Sequence, residues 1–351
     1  MTYLPKPKLH HPDLPKNKLG YTHRDYEGAV STLCAGCGHD SISAAIIQAC
    51  FEIDLPPHRL AKLSGIGCSS KTPTYFLGSS HGFNTVHGRM PSVVTGANLA
   101  NRDLIYLGVS GDGDSASIGL GQFAHSMRRG VNMTYIVENN GVYGLTKGQF
   151  SATSDKGSKS KKGAVNFDAP IDLVSLALQV GATFVARSFS GDKAQLVPLV
   201  KAALHHHGAA FIDVLSPCIA FNNHDGSTKS FDYVRAHNEA VNRLDAIVER
   251  QPITADYAPG TVELVTQHDG SVLRLRKLAS HYDASDRVRA LAYLQERSAA
   301  GEIVTGLLYV ESDPHDLHDN LNTVDKPFNQ FSDTELVPGA AALEKLNASL
   351  R

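Results

Sequence analysis

Hydrophobic and polar positions follow two alternating periods from about residue 40 to residue 215. Short apolar runs that suit buried strands alternate with longer stretches that have helical spacing. Strands separated by helices of this length predict an α/β fold with a doubly wound, mostly parallel sheet covered on both faces. The predicted strands are 60–64, 104–109, 131–137, 183–186 and 211–215, and the predicted helices are 41–51, 115–129, 171–179 and 193–207.

The pattern changes beyond Pro217, and we interpret the rest of the chain as an extension wrapped on the core. Two apolar runs, 262–265 and 272–275, flank His268-Asp269-Gly270 and predict a hairpin. A helix is predicted at 286–300, a strand at 303–310 and an irregular polar stretch at 313–333. The predicted organisation is an extended arm at 1–29, a binding domain at 30–225 and a C-terminal extension at 226–351.

Composition and charge argue against a nucleic-acid-binding, membrane-spanning or secreted protein. With 33 Lys and Arg against 35 Asp and Glu, the net charge is −2, which gives no electrostatic footprint for nucleic acid or an anionic membrane. No run of eighteen apolar residues predicts a membrane span, and the Pro- and Lys-rich N-terminus lacks the apolar stretch of a secretory signal. We therefore expect a cytoplasmic protein. Five cysteines in a reducing compartment favour metal binding or reactivity over disulfides.

The segment Gly111-Asp112-Gly113-Asp114 follows the predicted strand 104–109 and opens a helix. It is not an EF-hand loop, because the positions that require Gly and Glu are Ser117 and Phe123. A dinucleotide fingerprint fits better, since G-x-G-x-x-A is present and Glu138 ends the next strand. That match is weak by itself, because the acidic residue lies farther along the chain than usual.

A third interpretation explains more of the residues. Asp112 and Asn140 each follow one of two successive predicted strands, whose carboxyl ends meet at one edge of a parallel sheet. A carboxylate and an amide oxygen there suit Mg²⁺, with phosphate oxygens completing its shell. Backbone N–H groups near Gly113 and Asp114 would hold a diphosphate at the start of the helix.

The same residues carry a family resemblance that covers about residues 30–225. GDGD followed by ENNGVYGLTKGQ resembles the GDG…NN motif of thiamine diphosphate enzymes, and its TKGQ ending resembles the β subunits of 2-oxoacid:ferredoxin oxidoreductases. The resemblance implies thiamine diphosphate and Mg²⁺ as cofactors. The implied magnesium ligands are Asp112, Asn140 and the carbonyl of Val142, and the implied diphosphate residues are Gly113, Asp114, Gly144 and Leu145.

Four of the five cysteines lie in predicted loops, whereas Cys50 falls inside a helix and is expected to be buried and inert. Spacing alone leaves both zinc and an iron–sulfur cluster open, although zinc ribbons usually have two C-x-x-C pairs and this chain has one. The motifs CAGCGH, IGCSSK and SPC resemble the 4Fe-4S ligands of the same β subunits. This implies one 4Fe-4S cluster on Cys34, Cys37, Cys68 and Cys218.

Further loop residues are candidates for the active site. The sequence His87-Gly88-Arg89 resembles the family's HGR loop, which implies that His87 approaches the thiamine. Lys71 and Lys147 are cations in Gly- and Ser-rich loops and suit an anionic 2-oxoacid or coenzyme A, with solvated surface lysines as the alternative. The predicted catalytic residues are Lys71, Lys147, His87 and Arg89, and the predicted cofactor contacts beside the cysteine loop are Ile66, Gly67, Cys68 and Ser69.

The resemblance implies a subunit of an enzyme that oxidatively decarboxylates a 2-oxoacid with coenzyme A to acyl-CoA and CO₂. We favour 2-oxoglutarate over pyruvate, and we expect ferredoxin as an external acceptor because too few cysteines remain for further clusters. We also expect a larger α subunit with the pyrimidine-binding module, and two such pairs in a heterotetramer. The alternatives from other classes are a NAD-dependent Rossmann dehydrogenase with a structural zinc and a non-catalytic iron–sulfur carrier.

Overall fold

The computed structural model describes residues 13–146, 148–158, 164–217, 251–267 and 270–350. The strands are β1 (Leu60–Ser64), β2 (His81–Asn84), β3 (Ile105–Gly111), β4 (Met133–Asn139), β5 (Val142–Tyr143), β6 (Gln149–Phe150), β7 (Phe184–Phe189), β8 (Ala209–Leu215), β9 (Val262–Thr266), β10 (Val272–Lys277) and β11 (Ile303–Val310). The helices are α1 (Gly38–Glu52), α2 (Met90–Ala100), α3 (Leu120–Arg128), α4 (Leu173–Gln179), α5 (Lys193–His205), α6 (Arg287–Ala299), α7 (Leu317–Leu321), α8 (Asp333–Leu336) and α9 (Gly339–Ser349).

Nine strands form one sheet in the order β2-β1-β3-β4-β8-β7-β11-β10-β9. The six strands from β2 to β7 are parallel to one another, which confirms the predicted mostly parallel α/β fold. The two-stranded pair β5–β6 stands apart from this sheet. Because parallel strands need crossover connections, their carboxyl ends collect at a single edge.

Helices cover both faces of the sheet, as its apolar strands require. One face packs against α2, α3, α4 and α6, and its centre is a buried aromatic group in which Phe123, Tyr135 and Phe211 meet edge to face. The other face packs against α1 and α5, with Ile42 and Ile46 fully buried. This two-sided core makes the strand ends rigid supports for the loops that follow them.

The described part of the C-terminal extension continues the same sheet. Strand β11 pairs antiparallel with β7, β10 pairs parallel with β11, and β9 and β10 form the predicted hairpin. Lys277 Nζ lies 2.5 Å from the buried Asp192 carboxylate at the start of α5, which fastens the hairpin to the core. The extension therefore lengthens the core sheet.

Some elements differ from the sequence predictions. Strand β2 and helices α2 and α9 were not predicted, and α7 lies in the stretch expected to be irregular. Helix α2 lacks a clear signal because it carries Pro91, β-branched residues and Gly96, which have low helix propensity. The helix predicted at 115–129 is divided, since the Gly119 N–H bonds to the Asp114 carbonyl five residues earlier and makes a wide turn before α3.

Across the described ranges, no helix combines the length and the apolar character needed to cross a membrane.

Candidate functional site

A cleft opens where β1, β3 and β4 end, at the edge of the sheet where parallel α/β proteins bind ligands. Its walls are the loops after these strands, the loop that leads into α2, and the β5 turn. The structure brings together in this cleft all twelve residues predicted to bind the cofactor. They are Ile66, Gly67, Cys68, Ser69, His87, Asp112, Gly113, Asp114, Asn140, Val142, Gly144 and Leu145, and His39, Gly111, Tyr143 and Thr146 complete the lining.

Asp112 lies directly after β3 with only 1% of its surface exposed. Its Oδ2 accepts hydrogen bonds from the hydroxyls of Ser151 and Thr153, while its Oδ1 is 3.4 Å from the Asn140 N–H. Burial raises the pKa of Asp112, and the bonds from these hydroxyls oppose that rise. The weakly bonded Oδ1 is an oxygen that a hard cation can use.

Asn140 faces Asp112 across the ends of the adjacent strands β3 and β4. Its side-chain oxygen accepts the Val142 N–H at 3.1 Å, which closes a turn over Gly141. Gly141 has a φ of +72°, a conformation that glycine adopts without strain. The turn places the amide oxygen of Asn140 and the backbone of Val142 on the same wall of the cleft.

Asp114 also lies at the cleft, and its carboxylate is bonded to protein groups. It accepts hydrogen bonds from the Ser110 hydroxyl at 2.6 Å, the Gly88 N–H at 2.7 Å, the Ile66 N–H at 3.3 Å and His87 Nδ1. These donors come from β3 and from the loops after β1 and β2. One buried carboxylate therefore ties together the loops that form the cleft walls, a role that the sequence motif did not indicate.

The bond to Asp114 also orients His87. Because a carboxylate can only accept, His87 Nδ1 donates to Asp114, and Nε2 is the ring nitrogen that this bond leaves for other contacts. Tyr143 packs beside it and donates from its hydroxyl to the Gly113 carbonyl at 3.0 Å. A side chain at Gly113 would collide with the Tyr143 ring, so this position needs glycine.

Arg89 and Lys71, two further predicted catalytic residues, are not in the cleft lining. Arg89 is exposed at the start of α2, and its guanidinium lies 3.3 Å from the Gly88 carbonyl. Lys71 is partly buried in the short 3₁₀ helix that follows Cys68. Lys147 lies outside the described residues.

Three of the four predicted cluster ligands lie in two loops at this edge. Cys34 and Cys37 form a turn before α1, closed by the Cys37 N–H bonding to the Cys34 carbonyl at 3.0 Å. Cys68 lines the cleft, and so does His39, which lies two residues after Cys37, so both cysteine loops reach the cleft. Burial raises the pKa of Cys68, and Lys71 opposes that rise. Among the described cysteines none forms a disulfide.

Cys218, the fourth predicted ligand, lies outside the described residues, but the chain leading to it reaches the same place. Ser216 Oγ lies 2.6 Å from His39 Nδ1, at the start of α1. A side chain at Gly38 would touch the same Ser216 hydroxyl. Cys50 is separate from this group, because it is fully buried in α1, where burial raises its pKa to about 12.

Two buried residues outside the predicted site, His39 and Glu138, lie beside the cysteine loops and the cleft. His39 lines the cleft, and its Nδ1 lies 3.5 Å from the Glu138 carboxyl group. Burial lowers the pKa of His39 to about 4, so its ring is neutral near pH 7, and burial also raises the pKa of Glu138 well above its usual range. Their sequence signal was available, since His39 follows the C-x-x-C pair and Glu138 precedes Asn139-Asn140.

Comparisons with known proteins agree with this geometry. A family profile described as thiamine pyrophosphate enzyme, C-terminal TPP binding domain, matches residues 65–214. The chain is 41% identical to the 2-oxoglutarate oxidoreductase subunit KorB of Mycobacterium tuberculosis, over 63% of this chain and 57% of that relative. It is also 41% identical to a 2-oxoacid:ferredoxin oxidoreductase subunit beta of Saccharolobus solfataricus, over 63% of this chain and 70% of that relative.

A solved structure extends the likeness to nearly the whole chain. It is the 2-oxoglutarate:ferredoxin oxidoreductase from Magnetococcus marinus with 2-oxoglutarate, coenzyme A and succinyl-CoA bound. The two chains share 31% sequence identity and a TM-score of 0.68, and the match covers 92% of each.

Replacing Asp114 with Asn tests the role of its carboxylate in the cleft. The amide offers one acceptor oxygen to four donors and turns an N–H₂ group toward some of them. We expect the free energy of unfolding to fall by about 3 kcal/mol and the amides of Ile66 and Gly88 to exchange hydrogen faster. Hydrogen exchange and thermal melting measure both effects.

Asp168→Asn is the matched control, since Asp168 is exposed and outside the cleft. Unchanged exchange at Ile66 and Gly88 in Asp114→Asn would contradict the cross-linking role.

Proposed function

Because the chain belongs to the family of 2-oxoacid:ferredoxin oxidoreductase β subunits, we propose that it supplies the cofactor-binding half of an enzyme that oxidises 2-oxoglutarate. The reaction takes 2-oxoglutarate and coenzyme A to succinyl-CoA and CO₂ with ferredoxin as the electron acceptor, and one 4Fe-4S cluster held by the cysteines would supply one-electron transfer for the two electrons released. The observation that carries the proposal is the meeting of Asp112 and Asn140 with two cysteine loops at one edge of the sheet.

The donor set at the bottom of the cleft suits Mg²⁺ and a diphosphate. Asp112 Oδ1, the amide oxygen of Asn140 and the carbonyl of Val142 would hold the metal, since all three residues line the cleft with hard oxygen atoms. Backbone N–H groups at Gly113, Gly144 and Leu145 would face the diphosphate. Thiamine diphosphate, when bound, supplies the carbon nucleophile for decarboxylation, and the protein supplies binding and orientation.

The cysteine loops suit a cluster of four thiolates. Cys34, Cys37 and Cys68 would be three ligands, and Cys218 the fourth, because Ser216 holds the preceding chain against the first loop. Small residues surround each cysteine and leave room for inorganic sulfide. Burial lowers the pKa of His39 and raises the pKa of Glu138, and both shifts favour the uncharged forms beside a cluster that would be anionic. We expect the protein in the cytoplasm, because its reducing conditions keep the four cysteines as thiols that can bind a cluster.

The names of relatives support the choice of substrate. Relatives named for 2-oxoglutarate recur, and the matched structure holds 2-oxoglutarate, coenzyme A and succinyl-CoA. Pyruvate is the alternative 2-oxoacid. His87 is the described residue best placed for proton transfer, because Nε2 remains available in the cleft. Lys71, Arg89 and Lys147 stay candidates for binding the anionic groups of substrate or coenzyme A.

The rim of the cleft supports a partner subunit. Val86 and Leu145 are 71% and 49% exposed beside the cleft, and Ile66 and Ile118 are also exposed there. Apolar side chains around a polar site indicate a surface that another chain covers. We propose that an α subunit carrying the pyrimidine-binding module docks on this rim, and that two such pairs form a heterotetramer.

Asp112→Ala should remove Mg²⁺ and thiamine diphosphate together and leave the cluster spectrum intact. The diphosphate is held mainly through the metal, whereas the cluster depends on thiolates. Metal analysis, cofactor release on denaturation and the visible absorption spectrum measure these quantities in one preparation. Full cofactor occupancy in the variant would show that the magnesium ligands are wrongly assigned.

Anaerobically purified protein should contain about four iron and four acid-labile sulfide per chain. Cys34→Ala and Cys68→Ala should lose or damage the cluster, whereas Cys50→Ala should keep it, because Cys50 is buried inside α1 away from the loops. Iron content and the visible absorption spectrum measure this. Zinc without a visible chromophore, or loss of iron in Cys50→Ala, would contradict the proposed ligand set.

The chain alone should not turn over any 2-oxoacid, and co-expression with its α subunit should restore coenzyme A-dependent reduction of ferredoxin or a viologen dye. Val86→Asp should weaken the pairing by at least about 2 kcal/mol, near thirtyfold, because it buries an unpaired charge at the rim. Val288→Asp is the matched control, since Val288 is 75% exposed in α6. Turnover by this chain without a partner would refute the two-subunit proposal, and equal pairing of both variants would refute the docking surface.

A further inference from the structure

Two hydroxyl groups bind only one of the two oxygens of the Asp112 carboxylate, so the two oxygens differ in the ligands they can still accept. Ser151 and Thr153 both donate to Oδ2, with Thr153 at 2.7 Å. Oδ1 has the Asn140 N–H at 3.4 Å, which is long for a hydrogen bond. A carboxylate oxygen has about two lone pairs, so Oδ2 is saturated by protein donors while Oδ1 keeps a lone pair for another ligand.

On the side away from Asp112, Thr153 contacts a series of hydrogen-bonded polar side chains. The single proton of the Thr153 hydroxyl is shared between Asp112 Oδ2 at 2.7 Å and Asn139 Oδ1 at 3.1 Å in a three-centre bond. Asn139 Nδ2 donates to the Asp213 carboxylate at 3.1 Å. Arg187 Nε donates to the other oxygen of Asp213 at 2.9 Å. Because Asp213 and Arg187 are buried on β8 and β7, this chain connects the rigid sheet to the Thr153 hydroxyl.

The far end of this chain is anchored by charge. Arg187 also pairs with Asp172, which accepts the Val174 N–H at 3.1 Å at the start of α4. The guanidinium thus lies between two carboxylates, so the buried charges are paired and hydrogen-bonded. Side chains fixed in this way have lost their rotamer freedom, and the Asn139 amide can hold only one orientation toward Thr153.

The two adjacent asparagines therefore serve different purposes. Asn140 faces the cleft, whereas Asn139 turns toward the network and contacts Asp213 and Thr153.

We propose that Thr153, together with Ser151, is a positioning residue that binds Oδ2 of Asp112 and so presents Oδ1 to a divalent cation. The inference rests on the proposed function for the presence of that cation. Groups that hydrogen-bond to a metal ligand orient it, and their loss typically lowers metal affinity about 10- to 100-fold. The network through Asn139, Asp213 and Arg187 sets the position of the Thr153 hydroxyl.

The test compares Thr153→Val with Thr153→Ser in the complex with the partner subunit. Valine keeps the shape of threonine and removes the hydroxyl, whereas serine keeps the hydroxyl. Mn²⁺ replaces Mg²⁺ as the probe, and the EPR signal of the free ion gives the dissociation constant in complex depleted of thiamine diphosphate. We expect about 10- to 100-fold weaker Mn²⁺ binding in Thr153→Val and near wild-type binding in Thr153→Ser.

Two further variants keep the test decisive. Thr261→Val makes the same change at an exposed hydroxyl in the C-terminal extension and should bind Mn²⁺ like the wild type. Ser151→Ala removes the other donor to Oδ2 and should weaken binding as well, which serves if Thr153→Val does not fold. The cluster spectrum should be unchanged in every variant, because none of these residues lies in a cysteine loop.

The outcomes separate the two proposals. Wild-type affinity in Thr153→Val and Ser151→Ala, or equal loss in Thr153→Val and Thr153→Ser, would overturn the positioning role while leaving the cation site in place. Absence of Mn²⁺ binding by the wild-type complex would overturn the cation site of the proposed function, and the positioning role with it.

Discussion

The cleft depends on the buried carboxylate of Asp114. This one group hydrogen-bonds to loops that are otherwise joined only by the strands of the sheet. Its donors come from the loops after β1 and β2 and from β3 itself. Burying a carboxylate is costly unless donors replace its water, and here four donors do so. The dependence is therefore mutual. The carboxylate fixes the positions of the loops, and the buried carboxylate is stable only when the donors on those loops are in place.

The same logic explains the two acidic residues of the GDGD segment. Asp112 and Asp114 are equally buried, yet the Asp114 carboxylate accepts hydrogen bonds from four protein donors, whereas Oδ1 of Asp112 has a long contact with the Asn140 N–H. A carboxylate with unfilled lone pairs in a low-dielectric cleft attracts a cation, whereas a filled one acts as a structural cross-link. Two identical side chains thus acquire different chemistry from the number of donors around each.

Much of the fold was predictable because strands β1, β3, β4, β7 and β8 are buried on both faces and carry a continuous apolar signal. Motifs at the strand ends then located the cleft residues. Strand β2 is exposed and α2 is rich in weak helix formers, so neither gives that signal. The contacts that the structure gives Asp114, Thr153 and His39 were not predicted, because each depends on a distant part of the chain. The partners are His87, 27 residues from Asp114, Asp112, 41 residues from Thr153, and Ser216, 177 residues from His39.

The polar cleft and its apolar rim impose opposite demands on one edge of the sheet. The cleft needs exclusion of water, because its carboxylate, hydroxyls and amides interact strongly only at low dielectric. Val86 and Leu145 cannot exclude water while they are themselves solvated, and their exposure costs free energy that only contact with another surface recovers. A surface that covers the apolar rim would therefore also exclude water from the cleft. The proposed partner, docked there, would both stabilise the edge and complete the environment in which His87 and a cation held by Asp112 would act.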